Sequence, residues 1–178
     1  MKPRVAIAAL VATAAWVTLS HFGWEKSDNG VLLLVDGRAV DAQGWLSDRL
    51  TRLQRDCRQV ARLPLDDERL LATTLTLKAY SPPDSDTARI TAAWTAGPWM
   101  LVEAAFDTLL PAVVLMKQAD SGWRISPEGI WSGQTHPWVA APLIRNYLAS
   151  RAPDVPYDLL ACFEPTTSLM DFPLRKTD

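Results

Sequence analysis

Residues 112–125, AVVLMKQADSGWRI, decide the fold of this 178-residue chain. Residues 112–117 are apolar and partly β-branched, which is typical of a buried strand. The tetrapeptide 119–122, ADSG, is typical of a turn, and residues 123–125, WRI, resume the extended pattern. Two such segments joined by a short glycine-containing turn predict an antiparallel hairpin, and therefore a sheet of neighbouring strands.

Alternating side chains predict further strands on the N-terminal side of this hairpin. Residues 69–80 alternate leucine or alanine with threonine or lysine, and residues 88–95 repeat the pattern around Trp94. Residues 31–35 form a short apolar run that predicts a buried strand. Residues 99–110 fit two structures. Helical spacing and Pro111 favour a helix, whereas pairing with 88–95 would require a strand.

Two segments have helical periodicity. Residues 41–63 place five apolar side chains on one face, with Asp41 as N-cap, Pro64 as the stop, and Asp48 and Arg52 as an i, i+4 pair. We expect that face to be buried: Leu46, Leu50, Leu53, Cys57 and Val60. Residues 138–149 predict a second amphipathic helix with Leu143, Ile144, Tyr147 and Leu148 inward, and 159–163 return to the core.

Together these elements predict an α+β domain with a long N-terminal helix packed on an antiparallel curved sheet of about 4–5 strands. A second helix lies near the C-terminus. The order of helix and then meander, with the hairpin 116–125, resembles that of cystatin-like or NTF2-like domains. The resemblance covers one hairpin and an element order, and no family motif accompanies it.

The first 24 residues differ from the rest of the chain. Lys2 and Arg4 precede a largely apolar run, 5–19, and the next charged residue is Glu25. This pattern is typical of a signal peptide or a signal anchor, and both would send the body out of the cytoplasm. We expect a leader at 1–24, one globular domain at 25–170 and a frayed tail at 171–178. The protein would then be periplasmic, or anchored in the inner membrane through residues 5–24.

Cys57 and Cys162 are the two cysteines of the chain. Two cysteines in an exported domain predict a disulfide. A metal site is not expected, because their spacing matches no zinc motif and the body has a single histidine, His136. We expect no cofactor either, because no phosphate-binding glycine loop is present.

The charge of the chain argues against nucleic-acid binding. Its 18 basic and 20 acidic residues give a net charge of −2, and two of the basic residues lie in the leader. The basic residues form no single run, whereas nucleic-acid binding usually needs a basic face.

Residues 129–138, GIWSGQTHPW, concentrate aromatic and conformationally special residues. We expect a rigid aromatic corner in which Trp131 and Trp138 either seal the core or form a partner-binding surface. Trp131, His136 and Trp138 are the candidate binding residues. No residue is a strong catalytic candidate, since Ser132 and His136 lack a nucleophile motif. Glu103 is expected to face water on a helix.

These observations favour an exported, envelope-associated, non-enzymatic protein that binds a protein partner. Such a protein could be an accessory or assembly subunit, an inhibitor or an immunity-type protein. One alternative is a small-ligand domain that holds a lipid or glycan on the concave face of its sheet. A second alternative is a hydrolase that uses His136.

Overall fold

A computed structural model of the chain describes residues 21–120 and 122–166. These residues form two antiparallel sheets and four α-helices. The three-stranded sheet has the order β1-β2-β3 and consists of β1 (Phe22–Ser27), β2 (Gly30–Val35) and β3 (Arg38–Val40). The five-stranded sheet is a meander of β4 (Ala61–Arg62), β5 (Arg89–Ala96), β6 (Trp99–Ala105), β7 (Ala112–Ala119) and β8 (Gly122–Ser132). The helices are α1 (Ala42–Gln54), α2 (Glu68–Lys78), α3 (Ala140–Arg151) and α4 (Tyr157–Ala161).

The predicted hairpin is confirmed and forms the last two strands, at one edge of the larger sheet. β7 pairs with β8 from Ala112↔Ser132 to Ala119↔Gly122, with one irregularity between Val114 and Met116. The predicted strands at 88–95 and 31–35 are also present, as β5 and β2. The α+β class is therefore correct.

Three finer expectations about the architecture are wrong. The described residues form two sheets rather than one, three of their strands precede their first helix, and that helix has 13 residues. α1 ends at Gln54, before Cys57, with an extended C-cap at Arg55, and a turn closed by the Val60 amide and the Cys57 carbonyl leads to β4. Its leucine stripe is exposed, with Leu53 at 83%, whereas Asp48 on the other face is buried. Asp48 can be buried there because it has a charged partner on α3, described below.

Residues 69–78 belong to helix α2, and Ala79 is its C-cap, so the strand predicted at 69–80 is wrong. Leu70, Thr73 and Leu77 are the buried residues and recur at helical spacing. The Thr73 hydroxyl donates to the Arg69 carbonyl at 2.9 Å, and the Thr74 hydroxyl donates to the Leu70 carbonyl at 2.7 Å. These bonds satisfy the threonine hydroxyl groups within the helix. The alternation of threonine with leucine and alanine was therefore not the sign of a strand with one polar face.

Residues 99–105 form strand β6, so the favoured helix is wrong here too. β6 lies between β5 and β7, and both of its faces are covered. Trp99 and Leu101 belong to the cluster under α3 and α4, whereas Met100 and Val102 belong to the cluster under α2. A strand buried on both faces has no period of two, so its sequence does not distinguish it from a buried helix.

The C-terminal elements complete one face of the five-stranded sheet. Ile144 and Leu148 of α3 are fully buried as predicted, whereas Tyr147 is partly exposed. Phe163 is fully buried and meets the Trp94 ring edge-on, with 5.2 Å between centroids. The predicted disulfide between Cys57 and Cys162 is present, with a Cα–Cα distance of 5.8 Å. It indicates an oxidising compartment and therefore a location outside the cytoplasm.

Residues 1–20, which include most of the predicted leader, lie outside the described residues, as does the tail 171–178. β1 begins at Phe22, so the last residues assigned to the leader pair with β2. Within 21–120 and 122–166, no helix is long and apolar enough to span a membrane.

Candidate functional site

A cleft of about 430 Å³ lies where four parts of the fold meet. These parts are the β1–β2 turn, the first turns of α1, the end of β8 with its following loop, and one side of α3. Three aromatic residues and four amides contribute to its lining: Trp131, Trp138, Tyr147, Asn29, Gln43, Gln134 and Asn146. Among the residues that the structure describes, no lysine or arginine lines the cleft, and Asp41 is its one carboxylate. The surface is therefore aromatic and polar but nearly uncharged.

Two of the three predicted binding residues lie in this cleft. Trp131 is the penultimate residue of β8 and is 7% exposed, so most of its ring belongs to the core. Trp138 is half-buried, and its ring lies beside Gly30 at the start of β2. A Cβ at Gly30 would be 3.6 Å from that ring, and the φ of +135° at this position favours glycine. The two predicted roles, sealing the core and forming a surface, therefore belong to different indoles. Trp131 packs mainly in the core, and Trp138 lines the opening of the cleft.

His136 is not part of the cleft lining. It is exposed, two residues before Trp138. The Ser132 hydroxyl donates to the Pro111 carbonyl at 3.3 Å. Among the described residues, no hydrogen bond links His136 to Ser132 as a nucleophile and its base would be linked. The predicted aromatic corner also begins later than expected, because residues 129–132 continue strand β8.

Asp41 fixes the two helices that flank the cleft. One carboxylate oxygen accepts from the Gly44 amide at 2.7 Å and caps α1, as predicted. The other oxygen accepts from the Val139 amide at 2.9 Å, at the N-cap of α3. Gly44 is required by this arrangement, since a Cβ there would lie 2.0 Å from an Asp41 oxygen. The two helices beside the cleft are therefore joined by a buried carboxylate whose oxygens already accept hydrogen bonds from the backbone.

A buried ion pair joins the same two helices farther along. An Arg145 nitrogen lies 2.9 Å from an Asp48 oxygen, and a second Arg145 nitrogen donates to the Phe163 carbonyl at 2.6 Å. Burial lowers the pKa of Arg145, and the charge of Asp48 opposes that shift. Arg52 donates to the other Asp48 oxygen at 2.7 Å, as predicted. Two further ion pairs join Glu164 to Arg52 of α1 and to Arg55, the C-cap of that helix.

Glu103 lies inside the sheet rather than in water, so that expectation is wrong. Its side chain points to the face covered by α3 and α4 and is fully buried. The Thr166 amide donates to it at 2.9 Å, and the Thr166 hydroxyl forms a short bond with the same carboxyl group. Burial raises the pKa of Glu103 above its usual value, partly offset by the Thr166 bonds. Glu103 is not in the cleft, and it anchors the C-terminal segment.

A second cavity of about 440 Å³ lies on the opposite face of the sheet, beside α2. Its lining is mostly apolar and includes Leu77, Phe106, Leu109, Ile125 and Ile130. Among the described residues, no group of three or more His, Cys, Asp or Glu side chains is placed to hold a metal ion.

The amides and Tyr147 were not identified as site residues from the sequence. They come from four separate segments, and no local pattern marks an asparagine or glutamine as lining a cleft. The chain matches no protein family model, no curated protein and no solved structure. The resemblance to cystatin-like and NTF2-like domains therefore gains no support from these comparisons.

Proposed function

We propose that this chain is an exported, non-enzymatic protein of the bacterial envelope that binds a segment of a partner protein in its cleft. The periplasm, with or without an inner-membrane anchor, is the compartment that we propose. The observation that supports it best is the composition of the cleft lining: Trp138 and Tyr147 lie beside four amides, and the described part of the chain contributes no cation. Asparagine and glutamine side chains both donate and accept hydrogen bonds, as a peptide backbone requires.

The rigidity of the site supports the same proposal. Asp41 ties α1 to α3 beside the cleft, and the Asp48–Arg145 pair ties them again. A site that is already ordered loses little conformational entropy when a partner binds. Aromatic rings with a polar atom, such as those of Trp138 and Tyr147, are enriched where proteins bind each other. An accessory or assembly subunit, an inhibitor and an immunity-type protein would all use such a site.

Site-specific photo-crosslinking tests this proposal. Gln134 lies at the cleft and Gln118 lies near the far end of the β7–β8 hairpin, and both are exposed. A benzophenone side chain at position 134, in cells that make the protein, should give a defined adduct with one envelope protein. The same side chain at position 118 is the matched control and should not. Identical adducts from both positions, or none from 134, would contradict the proposal.

Small-ligand binding is the second candidate, because aromatic rings beside amides and hydroxyl groups also suit a neutral oligosaccharide. Helices pack on both faces of the five-stranded sheet, so the cleft would be the site for such a ligand. A lipid would instead suit the apolar cavity beside α2. Titration of the protein with neutral trisaccharides, followed by indole N–H signals in NMR, distinguishes this candidate. Saturable shifts of the Trp138 signal would favour it over a protein partner.

A further inference from the structure

The strand register places eight side chains on one side of the three-stranded sheet. Trp24, Leu33 and Val40 form one row across the three strands, because Trp24 pairs with Leu33 and Leu33 pairs with Val40. Directly paired residues of antiparallel strands point to the same side. We call this side the outer face, and it consists of Phe22, Trp24, Lys26, Val31, Leu33, Val35, Arg38 and Val40.

The outer face is apolar and exposed to solvent. Trp24 is 74% exposed and Val40 is 43% exposed, although they lie on opposite edges of the sheet. Leu32 points to the other side and is buried. The sheet therefore uses its second side for packing and leaves six apolar side chains on its first. A contiguous exposed patch of this kind marks an interaction surface.

The charges on the outer face have one sign. Lys26 and Arg38 are its two charged residues, and both are exposed. Glu25, the acidic residue of β1, pairs with Leu32 and so points to the other side. An apolar surface with flanking cations and no anion fits a membrane that carries anionic lipids.

The chain before β1 supports the same partner. The apolar run 5–19 ends three residues before Phe22, where β1 begins. If that run enters a bilayer, β1 lies at the bilayer surface. Tryptophan is enriched at this interface because its ring is apolar and its N–H group remains hydrated.

We propose that the outer face of the three-stranded sheet binds the surface of an anionic lipid bilayer. The proposal is independent of the cleft, which is lined by α1, α3, the end of β8 and the β1–β2 turn. Its consequence is that the domain would have a fixed orientation on the membrane, with the outer face toward the lipid.

The test is photo-crosslinking of the full chain in vesicles of phosphatidylcholine with phosphatidylglycerol. A benzophenone side chain replaces Val40 in β3. β3 is at the opposite edge of the sheet from β1, so an adduct there reports lipid contact by the outer face rather than by the segment that precedes β1. The matched control replaces Leu71, which is 71% exposed on α2. That helix packs on the face of the five-stranded sheet opposite to α3 and α4. Both variants share the same N-terminal segment, so a difference between them reports on the orientation of the domain.

We expect several-fold more lipid adduct, measured by mass spectrometry, at position 40 than at position 71. Lys26→Glu combined with Arg38→Glu should reduce the yield at position 40 in anionic vesicles and change it little in phosphatidylcholine alone. Circular dichroism and the intact disulfide check that each variant is folded. Equal lipid yields at positions 40 and 71 would overturn the proposal. A predominant adduct between two copies of the chain at position 40 would also overturn it.

Discussion

Asp41 and Val139 are 98 residues apart, yet the Asp41 carboxylate accepts the Val139 amide at 2.9 Å. The same side chain caps α1 through the Gly44 amide. One buried carboxylate therefore begins one helix and fixes the start of another, and the cleft lies beside this junction. The geometry of the cleft therefore depends on hydrogen bonds within the protein and does not require a bound ligand.

Replacing Gly44 by alanine should destabilise the protein. In an exposed helix the same change usually stabilises by about 0.5–1 kcal/mol, because glycine loses more backbone entropy on folding. Here the new Cβ would displace the Asp41 carboxylate. Loss of the cap costs about 1–2 kcal/mol. Urea denaturation measures the sign, and Gln43→Ala, one residue away, should change the free energy of unfolding by less than about 0.5 kcal/mol.

Removing the carboxylate of Asp48 should cost about 3–5 kcal/mol of folding free energy, because Arg145 would remain buried without its charged partner. Asp56→Ala is the matched control, since Asp56 forms an exposed ion pair with Arg58. Its denaturation midpoint should stay at the wild-type value. Similar midpoints for the two variants would show that the buried pair has no special role.

The disulfide should account for a large part of the stability. Cys57 and Cys162 are 105 residues apart, and opening a loop of that length costs about 4–5 kcal/mol in a chain-entropy model. Cys57→Ser with Cys162→Ser should therefore lower the free energy of unfolding by that order. Thermal denaturation of the oxidised and reduced wild type provides an independent comparison. A reduced protein with an unchanged melting temperature would contradict this expectation.

Glu103 should make stability depend on pH. Its pKa is raised in the folded state, so the folded state retains a proton that the unfolded chain loses above the usual value of 4.5. The free energy of unfolding should therefore fall as pH rises from about 4.5 to the folded pKa, by at most about 1.4 kcal/mol per pH unit. Glu103→Gln keeps partners for Thr166 and removes the titration.

The variant should therefore gain stability over the wild type as pH rises through this interval, and the two should be closest in acid. Denaturant midpoints at several pH values measure the difference. A constant difference across the series would mean that Glu103 does not titrate in this range.

The sequence was most informative where the chain has local signals. The hairpin of β7 and β8 follows from its turn, and the Asp41 cap and the Asp48–Arg52 pair follow from short spacing. The elements that were wrong, α2 and β6, lack such signals. In α2, threonines whose hydroxyl groups bond within the helix produce the alternating pattern that is typical of a strand. In β6, burial on both faces removes that alternation, so the sequence is also compatible with a buried helix.

The site could be predicted only in part for a related reason. Tryptophan is rare and bulky, so Trp131 and Trp138 stand out in any sequence. The buried role of Glu103 and the ion pair of Asp48 with Arg145 depend on contacts across 63 and 97 residues. Periodicity in one segment contains no information about partners so far away. The amides of the cleft come together for the same non-local reason.

The central claim is that the cleft around Trp138 binds a partner. Its most direct test is the yield of the position-134 photo-adduct in two tryptophan variants. Trp138→Ala removes a ring from the cleft, whereas Trp45→Ala removes an exposed ring of α1 that does not line it. We predict a several-fold loss of the adduct in Trp138→Ala and no change in Trp45→Ala, with both variants folded. An unchanged yield in folded Trp138→Ala, or equal losses in both variants, would contradict the account.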